Sequence, residues 1–157
     1  MPNSFDKVKE FNETFGAPVR TKPGLDYDDV EMRLGLLVEE VQEIRDAYAN
    51  YKFLDTIAKV LAETGVDAMV SVEILTKLKQ ETYVEFLDGL GDVQVVNNGL
   101  AQGTGMPINE AFDIIHGSNM SKAQPDGSVL RREDGKILKG ENYYAPTNGL
   151  KELLGYM

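Results

Sequence analysis

One stretch of this sequence repeats its apolar residues with the period of an α-helix from Asp28 to about Tyr51. Acidic residues occupy its first turn, where the helix dipole favours negative charge. The repeating positions are Val30, Leu34, Leu37, Val41, Ile44 and Tyr48. A long amphipathic helix has to cover its apolar face with other elements, so this stretch predicts a fold built around packed helices.

Shorter stretches with the same period predict further helices. The first would be capped by Asn3 or Ser4, since short polar side chains satisfy the free N–H groups of a helix start. The predicted segments are residues 4–15, two within 52–81 that are separated at Gly65, 82–102, and 107–117, where Pro107 opens the helix.

After Lys122 the pattern changes to that of extended chain. Two short runs, 129–131 and 136–138, are joined by a turn at Asp134-Gly135 and predict a small hairpin within the segment 123–149. Residues 150–156 favour a last helical turn or two. The predicted fold is therefore a single all-α domain over residues 1–157, a bundle of about five helices with a small C-terminal β-hairpin.

Composition limits the classes of function. A net charge of −10, from 26 acidic and 16 basic residues, argues against a passive binder of polymeric nucleic acid, because such proteins use Lys and Arg to contact phosphates. The same charge also fits a solvated acidic surface, so the positions of the acids must decide. The absence of cysteine excludes disulfides, thiolate catalysis and cysteine-ligated zinc. With no leader-like start and no run of about 18 apolar residues, we expect a soluble, cytoplasmic protein that does not enter membranes.

The second predicted helix carries three carboxylates within little more than one turn. Glu39, Glu40 and Glu43 form one acidic edge beside the apolar stripe. Like charges at these spacings repel each other, so the crowding is unfavourable without a cation. The alternative is an exposed helix face that is rich in Glu because Glu favours helices.

A second group of carboxylates, Glu85, Asp88 and Asp92, follows on the helix 82–102. Their spacing of three and seven residues places them within about 60° of one another around a helix axis. Gly89 and Gly91 lie among them, although each costs a helix about 1 kcal/mol relative to Ala. Glycine lets a neighbouring backbone or a ligand come close, so the segment favours a site over helix propensity.

Facing each other, the two groups would supply the hard oxygen donors that suit Mg²⁺ or Mn²⁺. A redox di-iron site would add a Glu-x-x-His pair from each half of a bundle, and the chain has only His116. Redox-inert divalent metals with carboxylate ligands suit phosphoryl chemistry.

The pattern Glu39-Glu40-x-x-Glu43 followed by Glu85-x-x-Asp88 resembles the signature of the all-α nucleoside triphosphate pyrophosphohydrolases. This superfamily includes MazG, dimeric dUTPases, dCTP pyrophosphatases and phosphoribosyl-ATP pyrophosphohydrolase. The segments 11–16, 33–37, 116–122 and 132–140 also look like its MazG-like branch. The resemblance covers roughly residues 5–147, but 41 residues lie between Glu43 and Glu85, more than is usual in the family.

The resemblance implies hydrolysis between the α and β phosphorus atoms of a nucleoside triphosphate, which gives a monophosphate and pyrophosphate. It implies Mg²⁺ or Mn²⁺ as cofactor, a homo-oligomer, and Glu40, Glu43, Glu85 and Asp88 as metal ligands. Asp92 lies one turn on and is a candidate for a further ligand or for a residue that supports the ligands from outside. Glu39 is our candidate for the general base, or for a residue that orients the attacking water indirectly. We expect a deoxynucleoside triphosphate as substrate. The alternatives are phosphoribosyl-ATP, or a non-enzymatic acidic module that binds cations or a basic partner.

The tail reverses the sign of the charge. Five of the 16 basic residues lie within the 18 residues 122–139. Lys122, Lys139 and Arg132 are predicted to contact the β and γ phosphates, unless the tail is only a solvated hairpin. Asn119 is predicted to bind phosphate or base, or else to cap a helix. Asn12 is a candidate for a base pocket.

Overall fold

The computed structural model describes residues 1–64 and 69–156 of the chain. Its regular structure within those residues consists of five α-helices: α1 (Ser4–Phe15), α2 (Tyr27–Thr64), α3 (Met69–Thr104), α4 (Ile108–Met120) and α5 (Thr147–Leu153). The prediction of an all-helical fold is confirmed. None of these helices is long and apolar enough to cross a membrane.

Helix α1 has the bounds that the sequence predicts, because both of its ends carry strong local signals. The Asn3 side chain accepts a hydrogen bond from the backbone of Asp6 at 2.9 Å, and the Asp6 carboxylate accepts one from the backbone of Asn3 at 3.1 Å. This reciprocal pair is a capping box. Gly16 ends the helix with a φ of 70°, a conformation that glycine adopts without strain.

Helices α2 and α3 are each longer than predicted. We expected breaks near residues 51 and 81, and these predictions are wrong. No glycine or proline lies between residues 36 and 64, so nothing in the chain stops α2 there. Packing between the two helices also continues past the expected breaks, where Lys79 of α3 bonds Asp55 of α2. The predicted break at Gly65 lies outside the described residues.

Contacts along the pair show that α2 and α3 run antiparallel. Residues near the start of α2 contact residues near the end of α3, and residues farther along α2 contact progressively earlier residues of α3. The contacts are Arg33 with Gly99 and Gly103, Ile44 with Gly89, Tyr51 with Tyr83, and Asp55 with Lys79. Helix α1 packs on the late part of α3, where Gln94 donates to the Ser4 hydroxyl at 2.9 Å. These three helices form a small bundle.

The described chain divides into two compact units. The first contains Met1–Arg20 and Leu25–Thr104, and the second contains Thr21–Gly24 and Gly105–Met157. In the second unit, α4 packs against α5: a Cβ on Gly149 would lie 2.9 Å from Cγ2 of Ile114. The Ser118 hydroxyl donates to the carbonyl of Tyr144 at 2.8 Å, which fastens the extended tail to α4. That all of residues 1–157 act as one domain stays a prediction.

The prediction of a C-terminal β-hairpin is wrong, because its two strands do not form. Residues 129–138 form a turn that is closed by one antiparallel bridge between Arg131 and Ile137, and the described residues contain no strand. The apolar side chains of this segment are only partly covered, since Leu130 and Ile137 are 47% and 45% exposed. Two strands without a packed face are only marginally stable in water, so the turn forms but the ladder does not extend.

Candidate active site

The two acidic segments lie side by side because α2 and α3 come close together at Gly89. A Cβ at this position would lie 2.8 Å from Cγ1 of Ile44 and 3.6 Å from the carbonyl oxygen of Glu40. Any larger residue would push the helices apart next to Asp88. The glycine thus serves close backbone approach, as the sequence suggests. Gly91 has open space around it, and packing does not explain that glycine.

At Glu40, carboxylates of α2 and α3 interact electrostatically. Its side chain is half-buried, and loss of solvation raises its pKa above the ordinary value. Repulsion from four other carboxylates raises the pKa further, and those residues are Glu43, Asp92, Glu39 and Asp88. Five of the six predicted acidic site residues therefore form one electrostatic cluster that spans α2 and α3.

Glu85, the sixth, lies one helical turn before Asp88 and lines a cavity of about 220 Å³ between α2 and α3. Asn50 and Phe53 of α2 and Glu81 of α3 line the same cavity. None of these three residues is a predicted site residue. A usable signal existed, since Asn50 follows Glu43 by seven residues and Glu81 precedes Glu85 by four, and each spacing keeps the pair on one helix edge.

The chemistry of these donors fits a hard divalent cation. All are carboxylates on two adjacent helices, and their mutual repulsion at Glu40 is what a bound cation would relieve. Among residues 1–64 and 69–156, no three Asp, Glu or His side chains converge closely enough to hold a metal ion as they stand. The metal ligands stay a prediction based on donor type and proximity.

Asn12, the predicted base-pocket residue, lies between α1 and α3. It is 3% exposed, and its amide donates to the side chain of Gln102 at 3.2 Å. Gln102 in turn donates to the carbonyl of Phe5 at 2.6 Å. These bonds pair the Asn12 amide nitrogen and both ends of the Gln102 amide inside the small bundle, which gives Asn12 a structural role. Its contact with the base of a substrate stays a prediction.

A buried ion pair near the start of α2 packs against α3. Nε of Arg33 lies 2.9 Å from Oδ2 of Asp29, and the two side chains are only 9% and 13% exposed. Gly99 and Gly103 of α3 leave the space that the guanidinium and the carboxylate fill. This pair is not among the residues predicted from the sequence. Its signal was the spacing of four residues between opposite charges at the start of a helix.

The predicted basic and polar residues of the tail belong to the second unit. Lys122 donates to the side chain of Asn119 at 2.7 Å, so two of them lie together. Arg132 forms an ion pair with Asp134, and this hydrogen-bonded partner raises the pKa of Arg132. Nζ of Lys139 lies 4.3 Å from the centre of the Tyr143 ring. Lys122, Arg132 and Lys139 all remain at the surface or close to it.

One family of known proteins matches most of the chain. A family model described as phosphoribosyl-ATP pyrophosphohydrolase matches residues 8–119, more than two thirds of the sequence. The match contains both carboxylate segments and the long stretch between them, and it ends before Lys122. None of the curated proteins matches the chain.

Proposed function

We propose a function from the premise that this chain belongs to the phosphoribosyl-ATP pyrophosphohydrolase family. It is a pyrophosphohydrolase, and its proposed substrate is a nucleoside triphosphate, with a deoxynucleotide preferred. Water attacks the α-phosphorus, the bond from the α-phosphorus to the bridging oxygen breaks, and pyrophosphate leaves. The observation that carries the proposal is the cluster of carboxylates from α2 and α3 around Glu40.

The carboxylates of the cluster have different proposed roles. Glu40, Glu43, Glu85 and Asp88 would hold Mg²⁺ or Mn²⁺, and Asp92 is a further ligand of the same kind. When bound, such an ion neutralises phosphate oxygens and lowers the pKa of a coordinated water. Glu39, on the exposed edge of the cluster, is the proposed general base that accepts the proton of the attacking water.

Contact with the outer phosphates is proposed for basic residues of the tail. Lys122, Lys139 and Arg132 supply positive charge that would offset the charge of pyrophosphate as it leaves. Asn119 accepts a hydrogen bond from the Lys122 side chain, and we propose that it binds the same phosphates. The support is the sign of the charge in an otherwise acidic chain.

Phosphoribosyl-ATP is the second candidate substrate, and the description of the matching family favours it. The bond that breaks is the same in both cases, because phosphoribosyl-ATP keeps the triphosphate of ATP. The candidates differ in the base, which carries a second ribose phosphate in phosphoribosyl-ATP. Only a comparison of substrates separates them.

The decisive experiment measures pyrophosphate release from the eight common nucleoside triphosphates and from phosphoribosyl-ATP, with Mg²⁺ or Mn²⁺ present. We expect Glu43→Gln to lower kcat/KM by about 100-fold or more, since a ligand of the ion is lost. Glu63→Gln is the matched control, because Glu63 is an exposed carboxylate farther along α2 and outside the cluster. Equal activity of Glu43→Gln and wild type would rule out the site. No release from any nucleotide would favour the non-enzymatic alternative.

We also propose that the chain forms a homo-oligomer. Only Val8, Ala47 and Ala101 among the described apolar residues are buried, while Val38 of α2 and Leu87 of α3 are each 70% exposed. A second copy would cover such side chains.

A further inference from the structure

We propose that the cavity beside Glu85 binds the base of the nucleotide and selects bases that carry an exocyclic amino group. The cavity measures about 220 Å³ and lies between α2 and α3. Pockets for whole drug-sized ligands are about 300–1,000 Å³, so this one suits a single ring system. The inference rests on the function proposed above and names the part of the substrate that determines specificity.

The cavity is placed where a base would reach if the phosphates lay at the carboxylates. Glu85 belongs to both, since it lines the cavity and lies one turn from Asp88. At a rise of about 1.5 Å per residue, Glu81 is about 6 Å along α3 from Glu85, and Asn50 is about 10 Å along α2 from Glu43. The sugar and base of a nucleotide extend over such a length from the α-phosphate.

The apolar part of the lining fits a flat aromatic ligand. Phe53 is 66% exposed, although large aromatic side chains are usually covered, and its ring is therefore open to a stacking partner. Leu54 and Leu78 add apolar surface from the two helices. Aromatic side chains stack on the faces of all bases, so Phe53 supplies affinity without choosing among them.

The polar residues of the lining determine which bases the cavity selects. The Asn50 amide both donates and accepts hydrogen bonds, and the Glu81 carboxylate only accepts them. Both side chains are exposed and thus accessible to a ligand. A carboxylate attracts the N–H groups of an exocyclic amine and repels the lone pairs of a carbonyl oxygen at the same ring position. Cytosine and adenine are therefore favoured over uracil and hypoxanthine.

The charge of the cavity argues against a phosphate as its occupant. Glu81 and Glu85 line it, and no Lys or Arg is among the described lining residues. An anion would be repelled there, whereas a neutral base would not. The remaining rival is a side chain from a second copy of the chain, and the experiment below includes that outcome.

The test uses nucleoside monophosphates with the full chain and Mg²⁺, so that binding is measured without hydrolysis. Two pairs, dCMP with dUMP and dAMP with dIMP, differ in an amino or a carbonyl group and in the proton on the adjacent ring nitrogen. We expect the amino member of each pair to bind about tenfold more tightly in isothermal titration calorimetry. Glu81→Gln should remove that preference, and Glu63→Gln should leave it unchanged. Phe53→Leu should weaken all four ligands similarly, and Phe53→Tyr should restore them.

Three outcomes of the binding measurement would overturn the inference. Equal binding within both pairs, absence of binding, or a preference that survives Glu81→Gln would exclude base selection by this cavity. A lower oligomer mass for Phe53→Leu in light scattering would show that a second copy occupies it. Pyrophosphate release without base preference would leave the proposed function intact and reject the inference. A base preference that depends on Glu81, without pyrophosphate release from any triphosphate, would support the inference and reject the proposed function.

Discussion

Lys79 of α3 donates a hydrogen bond to the Asp55 carboxylate of α2 at 2.5 Å, and Lys59 approaches the other oxygen of that carboxylate at 2.9 Å. Nearby, the hydroxyl of Tyr83 donates to that of Tyr51 at 3.0 Å. These contacts join the two long helices beyond the acidic cluster. The hydrogen bonds from Lys79 and then Lys59 lower the pKa of Asp55 from 3.8 to about 2.

The first prediction concerns stability in acid. A carboxyl group with a lower pKa in the folded state stabilises the fold above its unfolded pKa, and this contribution is lost as pH falls through the folded value. We expect the stability difference between wild type and Asp55→Asn to be constant above about pH 4 and to shrink between pH 4 and pH 2. Urea unfolding across this range measures the difference. Glu63→Gln should show no such narrowing, and a constant difference for Asp55→Asn would contradict the prediction.

The second prediction concerns the glycine beneath the buried ion pair. A Cβ on Gly103 would lie 2.6 Å from Oδ2 of Asp29 and 3.0 Å from Nε of Arg33. Gly103→Ala should therefore lower the free energy of unfolding by about 1–3 kcal/mol, the usual cost of overpacking. Gly91→Ala, on the same helix but in open space, should raise it by about 1 kcal/mol through helix propensity. Changes of the same sign in chemical denaturation would refute the packing argument.

The third prediction concerns the spacing of the helices at the cluster. Gly89→Ala would place a Cβ 2.8 Å from Cγ1 of Ile44 and force α2 and α3 apart. Small displacements of reacting groups are costly, so kcat/KM for pyrophosphate release should fall by about 10- to 100-fold. Adding Ile44→Ala makes room for the new methyl group and should restore part of the activity. A double variant no better than the single one would mean that spacing is not the cause.

The fourth prediction concerns assembly. Light scattering of the wild type should give a multiple of 17.4 kDa at micromolar concentration. Val38→Glu or Leu87→Glu should shift the mass toward the monomer, because each places a charge on an apolar side chain that is 70% exposed. Lys77→Glu is a control on α3 at an exposed polar position. A monomeric wild type would exclude the proposed oligomer.

Much of the fold is predictable from local signals, and the differences arise where distant contacts decide. Asn3 and Gly16 set the ends of α1 by themselves, so that helix was predicted with its correct bounds. The continuity of α2 and α3 depends on pairs such as Asp55 and Lys79, which are far apart in sequence. The tail has the pattern of a hairpin, but no packed face supports its strands.

The same distinction applies to the site. Spacing along each helix predicted which carboxylates share an edge, and Gly89 indicated the close approach. The cavity that contains Asn50 and Glu81 was missed, because it depends on how far the two helices stay paired after the cluster. Tertiary register of that kind is not encoded in the period of either helix alone.

The length of α2 and α3 beyond the site has a consequence for how such a chain can change. The contacts at Arg33 and Ile44 fix the helix pair on one side of the cavity, and Asp55 with Lys79 lies at its far end. Among the described residues, the part of α2 after Lys59 contributes neither to the lining of the cavity nor to the carboxylates around Glu40. Insertions or deletions of matched helical turns, after Lys59 in α2 and before Leu78 in α3, would therefore leave the geometry of the acidic cluster unchanged. The length of the helix pair beyond the site can thus vary independently of activity.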